Sequence, residues 1–216
     1  MIDSRLEKKF VYFNGDQSFK FFLSLGMFKE TFPTRIINSI YFDTPTLNDV
    51  WDNINGYGLR KKIRVRWYND LNNSNVYLEE KKKINFLTQK KTELLGNFSD
   101  YGDFRKYFQK DLLNKINISL NKKINLKSTL FIQYKRNYYE LYNKKLRVTL
   151  DQNLKIFLQY PNKFIDLDKT ILELKYKKND AEFVRKFVKE TKLNNRNQKF
   201  SKYVNSFIEL NNNGYI

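Results

Sequence analysis

The sequence predicts an α+β fold in which one domain, residues 1–216, is built on an antiparallel β-barrel with helices at its periphery. Two patterns carry this prediction. Charged and apolar residues alternate over short runs bounded by turn residues, which is typical of strands, and other apolar residues recur at helical intervals. The runs follow one another as a β meander with helices at intervals and show neither an internal repeat nor a second core, which favours a single domain.

In the first half of the chain, short alternating runs predict strands and one longer run predicts a helix. Phe21, Leu25 and Phe28 recur at helical spacing and therefore share one face of that helix. The expected elements are strands at 5–13, 38–45, 58–68, 76–83 and 89–94, a turn at 14–16, a helix at 17–31 ended by Pro33, a short helix at 47–53 and a hairpin loop at 69–75.

The second half of the chain repeats these patterns. Phe104, Tyr107, Phe108, Leu112 and Leu113 form the apolar stripe of an expected helix. The expected elements are helices at 100–115, 180–192 and 204–210, a solvated connector at 114–127 that is rich in Lys and Asn, and strands at 129–141, 146–151 and 170–176.

Charge and missing residue types limit the chemistry. The chain has 41 Lys and Arg against 23 Asp and Glu, a net charge of +18, which predicts an anionic partner. Because the chain has no His and no Cys, Ser-His-Asp and Cys-His catalysis, disulfides and sites built on His or thiolate are excluded. A metal would need carboxylate and ligand oxygens, which suit Mg²⁺ or Mn²⁺. No signal peptide and no membrane span are recognisable, so we expect a cytoplasmic protein.

The run at 58–68 is the most informative strand. Arg60, Lys62, Arg64 and Arg66 fall on one face, and apolar residues occupy the other face except at Lys61. An ordinary solvent-facing strand mixes both signs of charge, whereas cations in a row repel one another unless an anion lies between them. Arg can also hold two phosphate oxygens at once. The strand therefore predicts a binding face for phosphates.

Other strands repeat the same period of two. They are Arg5-x-Glu7-x-Lys9, Glu79-x-Lys81-x-Lys83, Tyr134-x-Arg136, Arg147-x-Thr149-x-Asp151 and Glu173-x-Lys175-x-Lys177. The pattern predicts a barrel with a charged inside and an apolar outside covered by the Phe-rich helices. Burying so many unpaired charges would cost several kcal/mol per ion, so the inside would need water, a polyanion and a divalent metal. The alternative is a set of ordinary amphipathic strands whose polar faces point outward.

Eight segments occur in the order found in one known family. They are Arg5-Leu-Glu-Lys-Lys9-Phe, Ser39-Ile-Tyr-Phe-Asp-Thr44, Arg60 to Tyr68, Leu78-Glu-Glu-Lys-Lys-Lys83, Tyr134-Lys-Arg136, Arg147-Val-Thr-Leu-Asp151, Leu172-Glu-Leu-Lys175 and Lys199-Phe-Ser-Lys202. With these segments, essentially the whole chain resembles the VTC domain, the polyphosphate polymerase domain of the vacuolar transporter chaperone family, in the CYTH-like superfamily of triphosphate tunnel metalloenzymes. The closing Lys199-Phe-Ser-Lys202 separates this family from the adenylate cyclase and thiamine-triphosphatase branches.

The resemblance implies an eight-stranded antiparallel tunnel that transfers the terminal phosphoryl group of ATP to a growing polyphosphate chain, assisted by Mn²⁺ or Mg²⁺. By motif, the catalytic residues would be Arg64, Arg66, Lys81, Arg136, Arg147 and Glu173. Further phosphate contacts would come from Lys9, Arg60, Lys62, Lys83, Lys90 (or Lys91), Tyr134, Lys175, Lys199, Ser201 and Lys202. Glu173 would hold the metal, with Glu7 and Glu79 as neighbours. The fungal polymerase also carries a phosphate-sensing domain and membrane helices that we do not expect here, which makes a membrane protein a candidate partner.

Three other functions use the same features. An inorganic triphosphatase would use nearly the same residues with water as the acceptor, and the sequence does not separate it from a polymerase. A non-catalytic polyphosphate-binding module is disfavoured because binding alone does not require Glu173. Nucleic-acid binding would need the charge on an open surface with interleaved aromatic residues, whereas here the Arg residues alternate with aliphatic residues inside strands.

Overall fold

A computed structural model describes the chain except residues 1–4, 14–19, 21–22, 73, 85–86, 121–124, 160–161, 192, 194–198 and 216. Its strands are β1 Arg5–Phe13, β2 Phe28–Asp43, β3 Leu59–Tyr68, β4 Ser74–Ile84, β5 Leu87–Phe98, β6 Lys127–Leu141, β7 Arg147–Gln159, β8 Lys163–Leu167 and β9 Lys169–Lys177. The described helices are α1 Asn48–Ile54, α2 Tyr101–Lys110, α3 Leu112–Ser119, α4 Ala181–Glu190 and α5 Lys202–Asn212.

The strands form one sheet in the order β1-β9-β7-β6-β2-β3-β4-β5, with β8 paired to β7. The pairs β1–β9, β7–β9, β2–β3, β3–β4 and β4–β5 are antiparallel. The α+β class and the antiparallel sheet are therefore confirmed. Over the described residues this path is open, so closure into an eight-stranded tunnel stays a prediction.

The chain divides into two compact units. Unit 1 comprises Met1–Arg35, Tyr134–Lys155 and Ile165–Ser201, and unit 2 comprises Ile36–Gln133, Ile156–Phe164 and Lys202–Ile216. Because β2, β6 and β7 each contribute residues to both units, the units are not successive segments of the chain. The expectation of a single domain stays a prediction.

In unit 1, helix α4 covers the apolar faces of three strands. Val184, Phe187 and Val188 recur at three- and four-residue intervals and are buried. They pack against alternate residues of the strands, which are Phe10, Tyr12, Val148, Leu150, Leu172, Leu174 and Tyr176. The charged residues between these positions therefore point to the opposite side of the sheet.

In unit 2, helices α2 and α3 cover β3 and β4 in the same way. Ile63, Val65 and Trp67 of β3 are buried, and the Trp67 ring lies 5.4 Å from that of Phe104 of α2. Phe104, Leu112 and Ile116 come from the helices of this core. The expected arrangement, with apolar strand faces packed under Phe-rich helices, is confirmed within each unit.

Several predicted boundaries are wrong. Residues 17–19 and 21–22 of the expected helix at 17–31 lie outside the described residues. Residues 20, 23 and 24 are helical, but the expected end at Thr31 is wrong because β2 already begins at Phe28. Pro33 lies within β2 and is exposed, and a strand tolerates a proline where the missing N–H would face solvent. The expected helix at 100–115 is two helices that divide at Asp111, and α3 occupies the start of the expected connector. The sequence pattern also missed β8.

Helix α1 depends on a carboxylate that precedes it. The Asp43 Oδ1 accepts hydrogen bonds from the N–H groups of Thr44 and Asp49, and Oδ2 accepts one from that of Val50. Asp49 and Val50 belong to the first turn of α1, whose N–H groups lack partners four residues earlier in the helix, so Asp43 accepts from them in place of a side chain at the N-cap. The Tyr203 hydroxyl donates to Oδ2 at 2.9 Å and ties α5 to the same carboxylate.

Candidate functional site

In unit 2 the register of three strands brings the predicted cations to one side of the sheet. Arg60 pairs with Lys83, Lys62 with Lys81, and Arg64 with Glu79. Lys81 in turn pairs with Lys90 of β5. Residues directly opposite one another in an antiparallel sheet share a face. We call this side of β3, β4 and β5 the cationic face: it carries Arg60, Lys62, Arg64, Arg66, Lys81, Lys83 and Lys90, with the carboxylate of Glu79 among them.

Glu79 lies at the centre of the charges on the cationic face and is 3% exposed. Its Oε2 lies 2.7 Å from the Arg64 Nε, 2.6 Å from the Arg64 Nη2 and 3.6 Å from the Arg66 Nη1. Its Oε1 accepts a hydrogen bond of 2.7 Å from the Lys90 Nζ. Burial alone would raise the pKa of the Glu79 carboxyl, but these cations outweigh burial and hold its pKa well below the usual range. Glu79 is therefore ionised whenever the protein is folded near neutral pH.

Two residues of β2 fix the arginines from the other side. The Arg66 Nε donates to the Ser39 Oγ at 3.2 Å, and the Arg64 Nη1 donates to the Tyr41 hydroxyl at 3.2 Å. Ser39 and Tyr41 stand directly opposite Arg66 and Arg64 in the register. The Tyr41 ring stacks on that of Tyr203, with centroids 4.8 Å apart and planes 7° from parallel. The two guanidinium groups thus have defined orientations.

The structure separates Lys90 from Lys91. Lys90 is opposite Lys81 and belongs to the cationic face, whereas Lys91 is opposite Glu80 on the other face. The Lys91 Nζ donates to the backbone carbonyl of Ser119 in α3. Of the two lysines that sequence reasoning left open, Lys90 is the one positioned with the other candidate phosphate ligands.

Unit 1 carries a second charged side, on β1, β9 and β7, which we call the mixed face because acids and cations alternate there. Lys9 and Thr149 lie on either side of Glu173, and Glu7 and Arg147 lie on either side of Lys175. The Lys9 Nζ donates to the carbonyl of Phe200 at 3.0 Å. This bond attaches the Lys199-Phe-Ser segment to β1.

Glu173 is the buried acid of the mixed face, with 6% of its surface exposed. Its Oε1 lies 3.4 Å from the Lys175 Nζ. No group of three or more potential metal-binding side chains occurs within the described part of the chain. Mg²⁺ and Mn²⁺ are commonly held by one or two carboxylates together with substrate phosphates and water, so Glu173 and its diagonal neighbour Glu7 fit such an ion. Both oxygens of the Glu79 carboxylate contact cations.

Arg136 and Arg147, the other arginines predicted to bind phosphate, differ sharply in burial. The Arg136 side chain is 11% exposed and pairs with the fully buried Asp151, and its guanidinium lies 5.3 Å from the centre of the Tyr134 ring. Burial opposes the charged form of Arg136, but Asp151 and Tyr134 outweigh it and raise the pKa above its ordinary value. The Arg147 side chain is 58% exposed and lies 3.1 Å from the Glu140 Oε1.

Most of the predicted site residues thus form two groups, and Tyr134 and Arg136 lie outside both groups on β6. The cationic face of unit 2 brings together the predicted residues of β3, β4 and β5, and the mixed face of unit 1 brings together those of β1, β7 and β9. Lys199 is exposed, Ser201 is half-buried, and Lys202 begins α5. Sequence reasoning missed the contacts of Ser39, Tyr41 and Asp151 with the arginines. The alternation of Arg147, Thr149 and Asp151 was a signal for Asp151, but it did not identify Arg136 as its partner.

Comparison with solved structures finds the same fold in other proteins. A Pyrococcus horikoshii OT3 protein aligns with TM-score 0.56 and 17% identity over 94% of this chain and 99% of that chain. An adenylate cyclase candidate from Vibrio parahaemolyticus aligns with TM-score 0.54 and 11% identity over 94% and 97%. A Hippeastrum adenylyl cyclase candidate, described as having a dominant triphosphatase activity, aligns with TM-score 0.53 and 12% identity over 98% and 97%. At these identities the likeness shows a shared fold and no more.

The family itself follows from the sequence. The model of the VTC domain matches residues 27–211, and the chain therefore belongs to the VTC domain family. No curated protein sequence shows significant similarity to it. Among the described helices, none combines the length and the apolar character that crossing a bilayer requires.

Proposed function

We propose that this protein is a polyphosphate polymerase that transfers the terminal phosphoryl group of ATP to the end of a polyphosphate chain. The observation that carries the proposal is the cationic face of β3, β4 and β5. Cations at every second position of a strand lie about 6.5 Å apart, so the face presents extended rows of positive charge. Such rows suit a ligand with many phosphates better than a single phosphate. Membership of the VTC domain family supports the same conclusion.

The proposed reaction needs charge neutralisation and positioning more than a protein nucleophile. The bond between the γ-phosphorus and the oxygen that bridges it to ADP breaks, and a terminal oxygen of the polyphosphate forms the new bond to that phosphorus. ADP leaves, and the chain is longer by one phosphate. Arg64 and Arg66 supply fixed donors for the phosphoryl oxygens. A chain that lacks His and Cys can carry out this reaction because oriented charges provide the catalysis.

Glu173, with Glu7 beside it, would hold the divalent metal. When bound, Mn²⁺ or Mg²⁺ would neutralise part of the charge of the triphosphate. Lys9 and Lys175 surround Glu173 on the mixed face. These lysines are suited to bind phosphate oxygens next to that ion.

A direct test incubates the purified protein with ATP and Mn²⁺ and separates the products on a gel. We expect polyphosphate ladders together with stoichiometric ADP. Arg64→Gln should abolish the ladders, whereas Arg105→Gln, a change to an exposed arginine of α2, should leave them intact. If both variants make as much polyphosphate as the unmodified protein, the cationic face is not the site.

Hydrolysis is the second candidate function, because the similar Hippeastrum protein is described as a triphosphatase. The same incubation separates the two reactions, since a triphosphatase releases free phosphate from inorganic triphosphate or ATP without forming longer chains. A non-catalytic binding module would show neither product but would still bind polyphosphate.

A further inference from the structure

We propose that Glu79 is a positioning residue of the cationic face: a built-in counter-ion that holds Arg64, Arg66 and Lys90 ready for phosphate, and not a ligand of the metal. The proposal deepens the proposed function and rests on it for the identity of the anionic substrate. It assigns to Glu79 a role that differs from the metal-binding role implied by the family resemblance.

The contacts of Glu79 are those of a counter-ion. One carboxylate oxygen lies between the two arginines, at 2.6 and 2.7 Å from Arg64 and 3.6 Å from Arg66. The other oxygen lies 2.7 Å from the Lys90 ammonium. Hydrogen bonds between charged groups at such distances are the strong ones in proteins. Both oxygens are therefore engaged by cations in the folded protein.

A divalent metal at Glu79 would be unfavourable for electrostatic reasons. The ion would have to enter among three positive groups that already share one carboxylate, and like charges repel one another at such short distances. It would also displace at least one of the charged hydrogen bonds. The mixed face differs, since Glu173 and Glu7 are two acids on neighbouring positions of that face.

The counter-ion has two opposite effects on a phosphate ligand. It offsets the repulsion among the cations before substrate arrives, so the donors are preorganised. It also competes with the phosphate oxygens for the same cations, and so weakens ground-state binding. Binding energy that is not expressed in the ground state is available to stabilise the transition state. Removing the charge of Glu79 should therefore tighten binding and slow turnover.

Glu79→Gln tests this prediction with three measurements. Calorimetric titration with inorganic triphosphate in EDTA should show binding that is several-fold tighter than in the unmodified protein. Turnover of ATP should fall by roughly 10²-fold, since small displacements of catalytic groups have effects of that size. The Mn²⁺ concentration for half-maximal activity should not change. Glu80→Gln is the matched control, because Glu80 pairs with Lys82 at 3.1 Å on the other face of the same strand, and all three values should stay unchanged.

Two outcomes would overturn the proposal. A Glu79→Gln variant that binds triphosphate no more tightly in EDTA shows that Glu79 does not compete with phosphate. A variant that needs several-fold more Mn²⁺ shows that Glu79 is a metal ligand. If the single variant does not fold, the double variant Glu79→Gln/Lys90→Gln restores the charge balance. The double variant should fold and need the same Mn²⁺ concentration as the unmodified protein. A higher Mn²⁺ requirement would again overturn the proposal. Unmodified protein that binds triphosphate but makes no polyphosphate would instead contradict the proposed function, and the binding comparison would still decide the role of Glu79.

Discussion

Arg136 and Asp151 form a buried ion pair joined by two parallel hydrogen bonds. The Arg136 Nε lies 2.5 Å from the Asp151 Oδ1, and the Nη2 lies 2.7 Å from Oδ2. Asp151 is completely buried, and Arg136 is nearly so. The two-bonded geometry fixes the plane of the guanidinium. An arginine predicted to bind phosphate is thus oriented by an acid of its own unit.

Asp151→Asn should destabilise the protein strongly. The variant keeps the shape of the side chain but leaves the Arg136 guanidinium without this counter-charge in a buried position. Loss of one partner of a buried pair typically costs about 3–5 kcal/mol of unfolding free energy, which urea denaturation would measure. Arg136→Met/Asp151→Leu removes both charges and should recover most of the stability. If Asp151→Asn and the unmodified protein have equal free energies of unfolding, the ion pair does not contribute to stability.

Much of the cationic face could be predicted from the sequence, because alternation with a period of two shows which residues of a strand share a face. The period assigns Arg60, Lys62, Arg64 and Arg66 of β3 and Glu79, Lys81 and Lys83 of β4 to charged faces, and the pairing of β3 with β4 confirms that they lie on one side. The period does not give the register between strands. The ion pairs of Glu79, and the bonds from Ser39 and Tyr41 to the arginines, depend on the register and could not be read from the sequence.

In some segments the local residue pattern does not predict the element that the structure contains. Phe28 fits the helical spacing of Phe21 and Leu25, yet it begins a long strand, because pairing within the sheet outweighs a short periodic run. Strand β8 is mostly exposed, so it lacks the alternation of buried residues that would indicate a strand. Lys61 is the one charged residue on the apolar face of β3, and it lies there beside an acid: its Nζ is 4.0 Å from the Asp49 carboxylate.

Asp49 should make the stability of the protein depend on pH. Burial and the neighbouring Asp43 raise the pKa of Asp49 to about 7 from 3.8, with Asp52 adding to the rise and Lys61 and Lys62 opposing it. The folded state therefore holds this proton more tightly than the unfolded state. The stability gained is fully present below about pH 4 and is lost as the pH rises to about 7.

Asp49→Asn removes this titration. The unfolding free energy of the variant relative to that of the unmodified protein should rise between pH 4 and 7, by up to roughly 4 kcal/mol, and then level off. Lys61→Met should extend this pH range upward, since it removes a cation that lowers the pKa of Asp49. Urea unfolding at a series of pH values is the measurement, and parallel curves for Asp49→Asn and the unmodified protein would contradict the assignment.

Glu173→Gln should lose metal-dependent turnover and still bind triphosphate. Glutamine keeps the size of the side chain but is a poor ligand for Mn²⁺ or Mg²⁺, and no His or Cys is present to replace it. We expect turnover to fall by at least roughly 10²-fold across a Mn²⁺ titration. Glu182→Gln, at an exposed position of α4, is the control. Unchanged turnover in Glu173→Gln at limiting Mn²⁺ would remove Glu173 from the mechanism.

Arg66→Lys should be far more damaging to activity than to folding. Arg66 is 5% exposed, and two different nitrogens of its guanidinium contact the Ser39 Oγ and the Glu79 Oε2. A lysine keeps the charge and the apolar stem but has one ammonium, which cannot hold two phosphate oxygens in the planar geometry of arginine. Loss of one preorganised donor should lower kcat by roughly 10²–10³-fold.

The measurement for Arg66 pairs turnover with the melting temperature, each without and with inorganic triphosphate. Arg66→Lys should melt within a few degrees of the unmodified protein and show a smaller stabilisation by triphosphate. Ser39→Ala, which removes the acceptor but keeps the arginine, should reduce kcat much less, because Arg66 keeps its contact with Glu79. Arg105→Lys is the control on an exposed helix position. Full activity of Arg66→Lys would show that Arg66 does not act on phosphate. Failure of that variant to fold would show that the role of Arg66 is structural, because a residue needed only for phosphate would tolerate a lysine with the same charge and a similar apolar stem.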